Sequence, residues 1–155
     1  MEETILVPQP DLPNPCWTTC SESETLAVGS HLAHALPNGA IVSLEGTLGA
    51  GKSVLVRGIA AGLGIDPDDV TSPTFTLWQT YQGTRELHHL DAYRLKDATQ
   101  FFDLGAEELF QSPGLVVIEW GEKVRAALPP DHYRVMISID EESHRTIVLV
   151  PPSEF

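Results

Sequence analysis

The residues best suited to chemistry form one glycine-rich segment that fits the pattern G-x-x-x-x-G-K-[ST]. In this pattern, the P-loop or Walker A motif, backbone N–H groups surround phosphate oxygens and a lysine adds positive charge. The hydroxyl of the last residue, here Ser53, is a ligand for Mg²⁺. We therefore expect a nucleotide and Mg²⁺ to bind here, with Lys52 also serving turnover. The segment is Gly46-Thr47-Leu48-Gly49-Ala50-Gly51-Lys52-Ser53.

The P-loop stands between two elements that would position it. Residues 40–45 are mostly apolar and predict a short buried strand, and residues 54–63 predict a helix. The N-terminus of a helix favours bound phosphate, because its free N–H groups and its dipole point at the anion.

A P-loop site usually needs a second acid from the end of another buried strand. Glu119 follows the apolar run 115–118, so we favour it as the acid nearest the metal. Asp91 follows a weaker strand at 87–90, which we assign to a hairpin. We expect Asp91 to position water or to support the metal indirectly; the alternative is that it caps the following turn.

Several neighbouring residues allow two interpretations. Residues 71–74, Thr-Ser-Pro-Thr, are either a switch loop that senses the γ-phosphate or an ordinary turn. Trp120 is either a core residue or a cover for the ligand or a partner. His88 and His89 fall on opposite faces of a strand without metal-ligand spacing, so we expect solvated or hydrogen-bonded histidines.

The remaining patterns predict an α/β fold: a P-loop NTPase-like three-layer sandwich with a mixed parallel and antiparallel central sheet. Ligands of such sheets lie beyond the carboxyl ends of the parallel strands, here residues 45–51 and 119–120. Residues 1–15 are expected to be a flexible extension and residues 16–155 a single domain. The predicted elements are a strand at 16–19, a helix capped by Ser21 and ending near Leu36, hairpins at 75–90 and 133–150, helical turns within 97–111, and a helix at 121–128.

Composition narrows the class of protein further. The chain has 155 residues, and 9 Lys and Arg against 22 Asp and Glu give a net charge of −13. Tight nucleic-acid binding usually needs a basic face, so a nucleic acid would have to be held by a partner. The chain has no membrane-spanning run and no secretory signal, which indicates the cytoplasm. Cys16 and Cys20 have no further Cys or His nearby in the sequence to complete a zinc site, so we expect two buried thiols.

Three further motifs accompany the P-loop: Ser72-Pro73-Thr74-Phe75, Leu90-Asp91-Ala92-Tyr93-Arg94-Leu95 and Val117-Ile118-Glu119-Trp120. With this order and spacing, the chain resembles the TsaE (YjeE) family of bacterial tRNA threonylcarbamoyladenosine biosynthesis, from about residue 16 to about residue 150. The resemblance implies a slow, partner-dependent ATPase that binds ATP or ADP with Mg²⁺. It would act on the proteins TsaB and TsaD, with tRNA reached only through them and without DNA or a membrane.

The resemblance also implies roles for single residues. Lys52 and Ser53 match the phosphate- and Mg²⁺-binding residues, Glu119 the metal-associated acid and Asp91 an essential aspartate. The match further marks Trp120 as functionally important and residues 72–75, with Thr74, as a nucleotide-sensitive switch. Contacts to the adenine side are expected from Thr18, Thr25 and Arg145. The chain departs from the common G-D-L-G-A-G-K-T at Thr47, which removes an acid near the phosphates, and at Ser53, which keeps the hydroxyl.

Two other functions remain open at this point. A small-molecule P-loop kinase would need more cations around the transferred phosphoryl group than Arg57, Arg94 and Arg125 offer. A nucleotide switch that does not hydrolyse its ligand is the other alternative.

Overall fold

The computed structural model describes residues 14–47, 49–71 and 77–152 of the chain. Leu48 of the P-loop, the predicted switch residues 72–75 with Thr74, and most of the predicted N-terminal extension lie outside these ranges.

Within the described ranges, the strands are β1 (Cys16–Thr19), β2 (Ile41–Glu45), β3 (Trp78–Gln82), β4 (Glu86–Asp91), β5 (Leu115–Glu119), β6 (Tyr133–Ile139) and β7 (Arg145–Val150). They form one seven-stranded sheet in the order β1-β7-β6-β2-β5-β4-β3. The P-loop strand β2 lies in the middle and pairs in parallel with β5 and β6, while β4 pairs in parallel with β5. The pairs β3–β4, β6–β7 and β1–β7 are antiparallel, which confirms the predicted mixed sheet.

The α-helices are α1 (Glu22–Ala35), α2 (Lys52–Gly62) and α3 (Ala98–Asp103). The predicted capping of α1 is confirmed: Ser21 Oγ accepts from the Glu24 amide at 3.2 Å, and Glu24 Oε1 accepts from the Cys20 amide at 2.6 Å. Short 3-10 helices cover Pro67–Asp69, Ala106–Gln111 and Gly121–Ala127.

Three details differ from the sequence predictions. Helix α2 begins at Lys52, two residues before the predicted start, because the P-loop passes directly into its first turn. The segment predicted as a helix at 121–128 is a short 3-10 helix, the form that short connecting segments often take. Cys20 is exposed in the turn between β1 and α1, whereas Cys16 is buried as expected and burial raises its pKa.

Apolar residues fill both faces of the sheet and so create the three layers. Helices α1 and α2 pack on one face, with Leu32, Leu55 and Ile59 among the fully buried side chains. On the other face, Phe101 of α3 packs in a second cluster with Ile118 of β5. In the described part of the chain, no helix is both long and apolar enough to cross a membrane.

Candidate nucleotide-binding site

The P-loop leads from the carboxyl end of β2 into α2 through glycines that no other residue would replace easily. Gly49 has φ 82° and Gly51, the N-cap of α2, has φ 109°, in the region that favours glycine. At Gly46 a Cβ atom would lie only 2.4 Å from the carbonyl oxygen of Ile137. The loop therefore reaches the N-terminus of α2, where a helix favours anions.

Lys52 lies at the base of this loop and is almost fully buried. Its Nζ donates to the carbonyl oxygens of Gly46 at 2.6 Å and Thr47 at 2.9 Å. The same ammonium lies 4.0 Å from the centroid of the Trp120 ring, within cation–π range. The lysine charge is thus held between the loop backbone and an aromatic face.

The charge of Lys52 is balanced by acids around it. Burial lowers the pKa of Lys52, since a charged amine loses hydration, and the carboxylates of Glu119, Glu122 and Asp91 partly offset that shift. The Lys52 ammonium therefore lies within electrostatic reach of three carboxylates.

Asp91 and Glu119 lie opposite each other at the carboxyl ends of two neighbouring parallel strands. Asp91 of β4 pairs in register with Glu119 of β5, and both residues are buried. The strand that carries Asp91 belongs to the β3–β4 hairpin, as predicted, but it also pairs with β5. That second pairing brings the two acids together.

Asp91 also has the turn-capping contact that formed its alternative interpretation. Its Oδ1 accepts a hydrogen bond from the Tyr93 amide at 2.8 Å, the geometry of an Asx turn. The same residue lines the cavity beside the P-loop, so capping and a role in the site are compatible.

Glu119 has a partner that sequence reasoning did not find. Nε2 of His89 lies 2.5 Å from Oε2 of Glu119, and both side chains are buried. The signal was available in part: residues two apart on a strand share a face, so His89 and Asp91 face the same side. The register between β4 and β5, which brings Glu119 to His89, is not visible in the sequence.

Trp120 combines strained backbone with aromatic packing. Its φ of 61° is uncommon for a residue with a bulky side chain. The ring is partly buried, and the Tyr93 ring lies 5.0 Å away between centroids. The indole packs against the second core, as its core interpretation predicts, and it also borders the cavity. Its role as a cover for a ligand or a partner stays a prediction.

Arg145 connects the last strand to the P-loop. Its Nε donates to the carbonyl oxygen of Ala50 at 2.9 Å, and its side chain lies against Gly51. A Cβ atom on Gly51 would come within 2.8 Å of that Nε, so the motif glycine also makes room for the arginine.

These residues surround a cavity of about 440 Å³ at the carboxyl end of the parallel strands. This is the edge at which the sequence predicted the ligand, and the volume falls within the range of small-molecule sites. The cavity is lined by Gly49, Gly51, Lys52, Ser53, Val54, Asp91, Tyr93, Glu119, Trp120 and Arg145.

Other predicted ligand contacts lie elsewhere among the described residues. Gly46 and Thr47 line a second cavity of about 440 Å³, on the side of the P-loop towards β6 and β7. Thr18 is exposed on β1, and the buried Thr25 hydroxyl bonds to Thr19 Oγ1 at 2.8 Å. Neither Thr18 nor Thr25 lines either of these two cavities.

Glu45, the last residue of β2, anchors the P-loop strand through a network that the sequence did not reveal. Arg125 and Arg134 donate to its carboxylate at 3.0–3.2 Å, and Ser43 Oγ donates at 2.8 Å. Burial alone would raise the pKa of Glu45, but the bonds from Arg134, Ser43 and Arg125 outweigh burial and lower it.

The chemistry of the donors fits a hard divalent cation. The Ser53 hydroxyl and the carboxylates of Glu119 and Asp91 offer oxygen atoms only, and all three residues line the same cavity. Mg²⁺ prefers such ligands and is usually held by one or two carboxylates together with substrate phosphates.

The chain matches a family model over residues 19–147, and the model describes the threonylcarbamoyl adenosine biosynthesis protein TsaE. Curated relatives are similar over most of their length. A protein of Treponema pallidum named tRNA threonylcarbamoyladenosine biosynthesis protein TsaE is 45% identical over 119 residues, or 77% of this chain and 86% of that one. A Bacillus subtilis protein of the same name is 36% identical over 132 residues, or 84% and 82% of the two chains.

A solved structure agrees with the fold. The crystal structure of YdiB from Bacillus subtilis superposes with a TM-score of 0.74 at 30% sequence identity, covering 90% of this chain and 87% of that one.

Proposed function

The chain belongs to the TsaE family of threonylcarbamoyl adenosine biosynthesis proteins, and we propose on this basis that it binds and hydrolyses ATP. This step would serve the threonylcarbamoyladenosine modification of tRNA. Membership supports the role in that biosynthesis and nucleotide binding. We further propose that the chain hydrolyses ATP with Mg²⁺, that it acts with partner proteins, and that specific residues of the cavity carry the reaction.

One observation carries the proposal: a P-loop lysine and hydroxyl share one cavity with two carboxylates. Lys52 and Ser53 line it from α2, and Asp91 and Glu119 line it from β4 and β5. This is the set of groups that P-loop hydrolases use for phosphate, metal and attacking water.

The chemistry of each side chain suggests its role in the proposed hydrolysis. The P-loop backbone and Lys52 bind the phosphates, while Ser53 and Glu119 hold Mg²⁺, which when bound neutralises developing phosphate charge. Asp91 orients the water that attacks the terminal phosphate, because an ionised carboxylate accepts a hydrogen bond from it. Arg145, which donates to Ala50, steadies the loop and adds positive charge to the nucleotide side.

The arginines around the site favour hydrolysis over phosphoryl transfer to a small molecule. A kinase needs several cations around the transferred group. Among the described residues, Arg145 is the one arginine that lines the cavity, and Arg57, Arg94 and Arg125 do not. Arg125 is paired with Glu45, and Arg57 approaches Asp68 at 3.8 Å.

The partners in this proposal are TsaB and TsaD, in the cytoplasm. A net charge of −13 supports docking on protein rather than direct contact with tRNA. A partner that completes the site would also explain a low rate for the isolated chain, since arginines supplied in trans accelerate P-loop hydrolases strongly.

The test is phosphate release from Mg²⁺-ATP by the purified chain, alone and with TsaB and TsaD of the same organism. We expect slow release that changes when the partners are added. Lys52→Ala should abolish tight nucleotide binding, while Asp91→Asn should spare binding and lower turnover by about 100-fold or more. Asp103→Asn, an exposed acid on α3, is the matched control and should behave as wild type.

Three results would contradict the proposal. Wild-type turnover in the Asp91→Asn Glu119→Gln double variant would remove the site assignment. Binding without release under any condition would favour a nucleotide switch, and ATP consumption only with a small acceptor would favour a kinase.

A further inference from the structure

We propose that His89 is a positioning residue: it fixes the orientation of Glu119 through a buried hydrogen bond and so sets how well the site takes up Mg²⁺. The inference rests on the proposed function, in which Glu119 is the metal-associated acid. His89 itself lines neither cavity beside the P-loop.

The contact is short and shielded from water. Nε2 of His89 lies 2.5 Å from Oε2 of Glu119, and the two side chains are 2% and 6% exposed. The residues are on neighbouring strands, since His89 is paired in register with Val117, two residues before Glu119. At this burial, water cannot easily replace the bond, so losing it leaves a carboxylate without its donor.

The direction of the hydrogen bond follows from the chemistry of the two groups. An ionised carboxylate only accepts hydrogen bonds, so Nε2 of His89 must be the donor. The bond occupies Oε2 and leaves Oε1 of Glu119 for a metal ion or for water bound to one. One oxygen held by the protein and one directed to the metal is a common arrangement around metal sites.

His89 is poorly explained as a packing residue alone. Its Nδ1 is buried and has no hydrogen-bond partner among the described residues. A buried polar atom without a partner costs free energy, and an apolar side chain of similar size would avoid that cost. The bond to Glu119 is therefore the contact that gives a histidine an advantage at this position.

The adjacent His88 supplies a natural comparison. It is also buried, but its Nδ1 lies 3.0 Å from Thr80 Oγ1 and its Nε2 lies 2.8 Å from Glu86 Oε1. Both nitrogens are engaged on the other face of the strand. A variant of His88 therefore tests the effect of altering a buried β4 histidine without touching Glu119.

The experiment measures binding rather than turnover. The affinity for a non-hydrolysable ATP analogue is determined in EDTA and across a series of free Mg²⁺ concentrations, for His89→Leu, His89→Gln and His88→Gln. We expect His89→Leu to raise the Mg²⁺ concentration that gives half of the maximal gain in affinity for the analogue. The expected rise is about 10- to 100-fold, the usual consequence of losing such a supporting contact. Affinity in EDTA should stay within about two-fold of wild type, and His88→Gln should leave both values unchanged.

His89→Gln keeps an amide donor and should give an intermediate shift, which preserves the test if His89→Leu does not fold. A wild-type Mg²⁺ dependence in a folded variant that lacks the donor would overturn the inference. So would an equal loss of affinity in EDTA, because that indicates general damage to the site.

A double variant separates failure of this inference from failure of the proposed function. In a Glu119→Gln background, His89→Leu should cause no further shift, because the group it positions has changed. An undiminished effect of His89→Leu there would show that His89 acts elsewhere and would overturn the inference. If Glu119→Gln alone leaves the Mg²⁺ dependence unchanged, the metal role of Glu119 fails and the inference fails with it.

Discussion

At the scale of single residues, the charges around the P-loop are held by specific partners. Lys52 is fixed by two loop carbonyl groups, Glu119 by His89, and Glu45 by two arginines. In the proposed hydrolysis, such fixed charges favour catalysis because they need little rearrangement when charge develops on the phosphate.

Glu45 gives a prediction about pH and stability. Its pKa is lower in the folded protein than its ordinary value of 4.5, so its carboxylate stabilises the fold above that pH. That contribution is lost as the pH falls through the lowered folded pKa. We expect Glu45→Gln to reduce the free energy of unfolding by about 1–3 kcal/mol at pH 7, because both arginines lose a charged acceptor.

The measurement is urea unfolding of wild type and Glu45→Gln between pH 3 and pH 8. The difference between them should shrink as the pH falls below 4.5, because the unfolded wild-type chain then takes up a proton at Glu45, and it should be smallest once the pH passes below the lowered pKa of Glu45 in the folded protein. Glu141→Gln, an exposed acid in the β6–β7 turn, is the control and should show no such trend. A Glu45→Gln difference that does not vary with pH would refute the assignment.

At the scale of elements, the P-loop helix α2 is held in place by close packing against α1. Helices α1 and α2 approach through glycines on both sides: a Cβ atom on Gly29 would lie 2.5 Å from Leu55 O, and one on Gly58 would lie 2.3 Å from Leu26 O. Backbone atoms cannot move aside easily, so the glycines set the distance between the helices. The start of α2, and with it Lys52, depends on that packing.

Gly58→Ala tests this packing because helix propensity and overpacking predict opposite changes in the free energy of unfolding. Helix propensity alone would stabilise the variant by about 1 kcal/mol, since alanine is the better helix former. Overpacking against Leu26 should outweigh that gain and lower the free energy of unfolding by about 1–3 kcal/mol. Chemical denaturation decides between them.

The reverse substitution on the exposed side of the same helix is the control. Ala61→Gly removes no close contact and should cost about 1 kcal/mol or less, from propensity alone. A Gly58→Ala protein more stable than wild type would show that the helix pair can separate without cost.

At the scale of the whole molecule, charge decides which partners can bind directly. Twenty-two acids against nine bases leave little basic surface, and Arg125, Arg134 and Lys52 are already engaged with groups of the chain itself. Binding to the phosphate backbone of a nucleic acid would have to overcome this repulsion.

We therefore expect no saturable binding of tRNA by the chain alone at about 0.15 M salt and protein concentrations up to roughly 100 µM, the weak end of the usual range of non-specific dissociation constants. An electrophoretic mobility shift titration with and without TsaB and TsaD measures this. Retention of the chain on tRNA only when the partners are present is the expected result. Tight binding by the chain alone that weakens with salt would contradict the prediction.

Much of the fold and part of the site could be predicted from sequence because their signals are local. The P-loop, the capping of α1 by Ser21 and the buried strand ending at Glu119 each depend on residues within a few positions of one another. The rule that ligands bind at the carboxyl ends of parallel strands points to the edge of the sheet where the structure has a cavity. Composition added the acidic character of the whole chain.

Contacts between distant segments were decided only by the tertiary structure. The register of β4 against β5 places Asp91 beside Glu119 and brings His89 to Glu119. The packing of the 3-10 helix Gly121–Ala127 and of β6 around β2 brings Arg125 and Arg134 to Glu45. Strand pairing and the partners of buried charges depend on how the whole chain packs, whereas sequence patterns report which face or end of an element a residue occupies. The sequence by itself therefore determined the kind of site, and the fold decided which side chains support it.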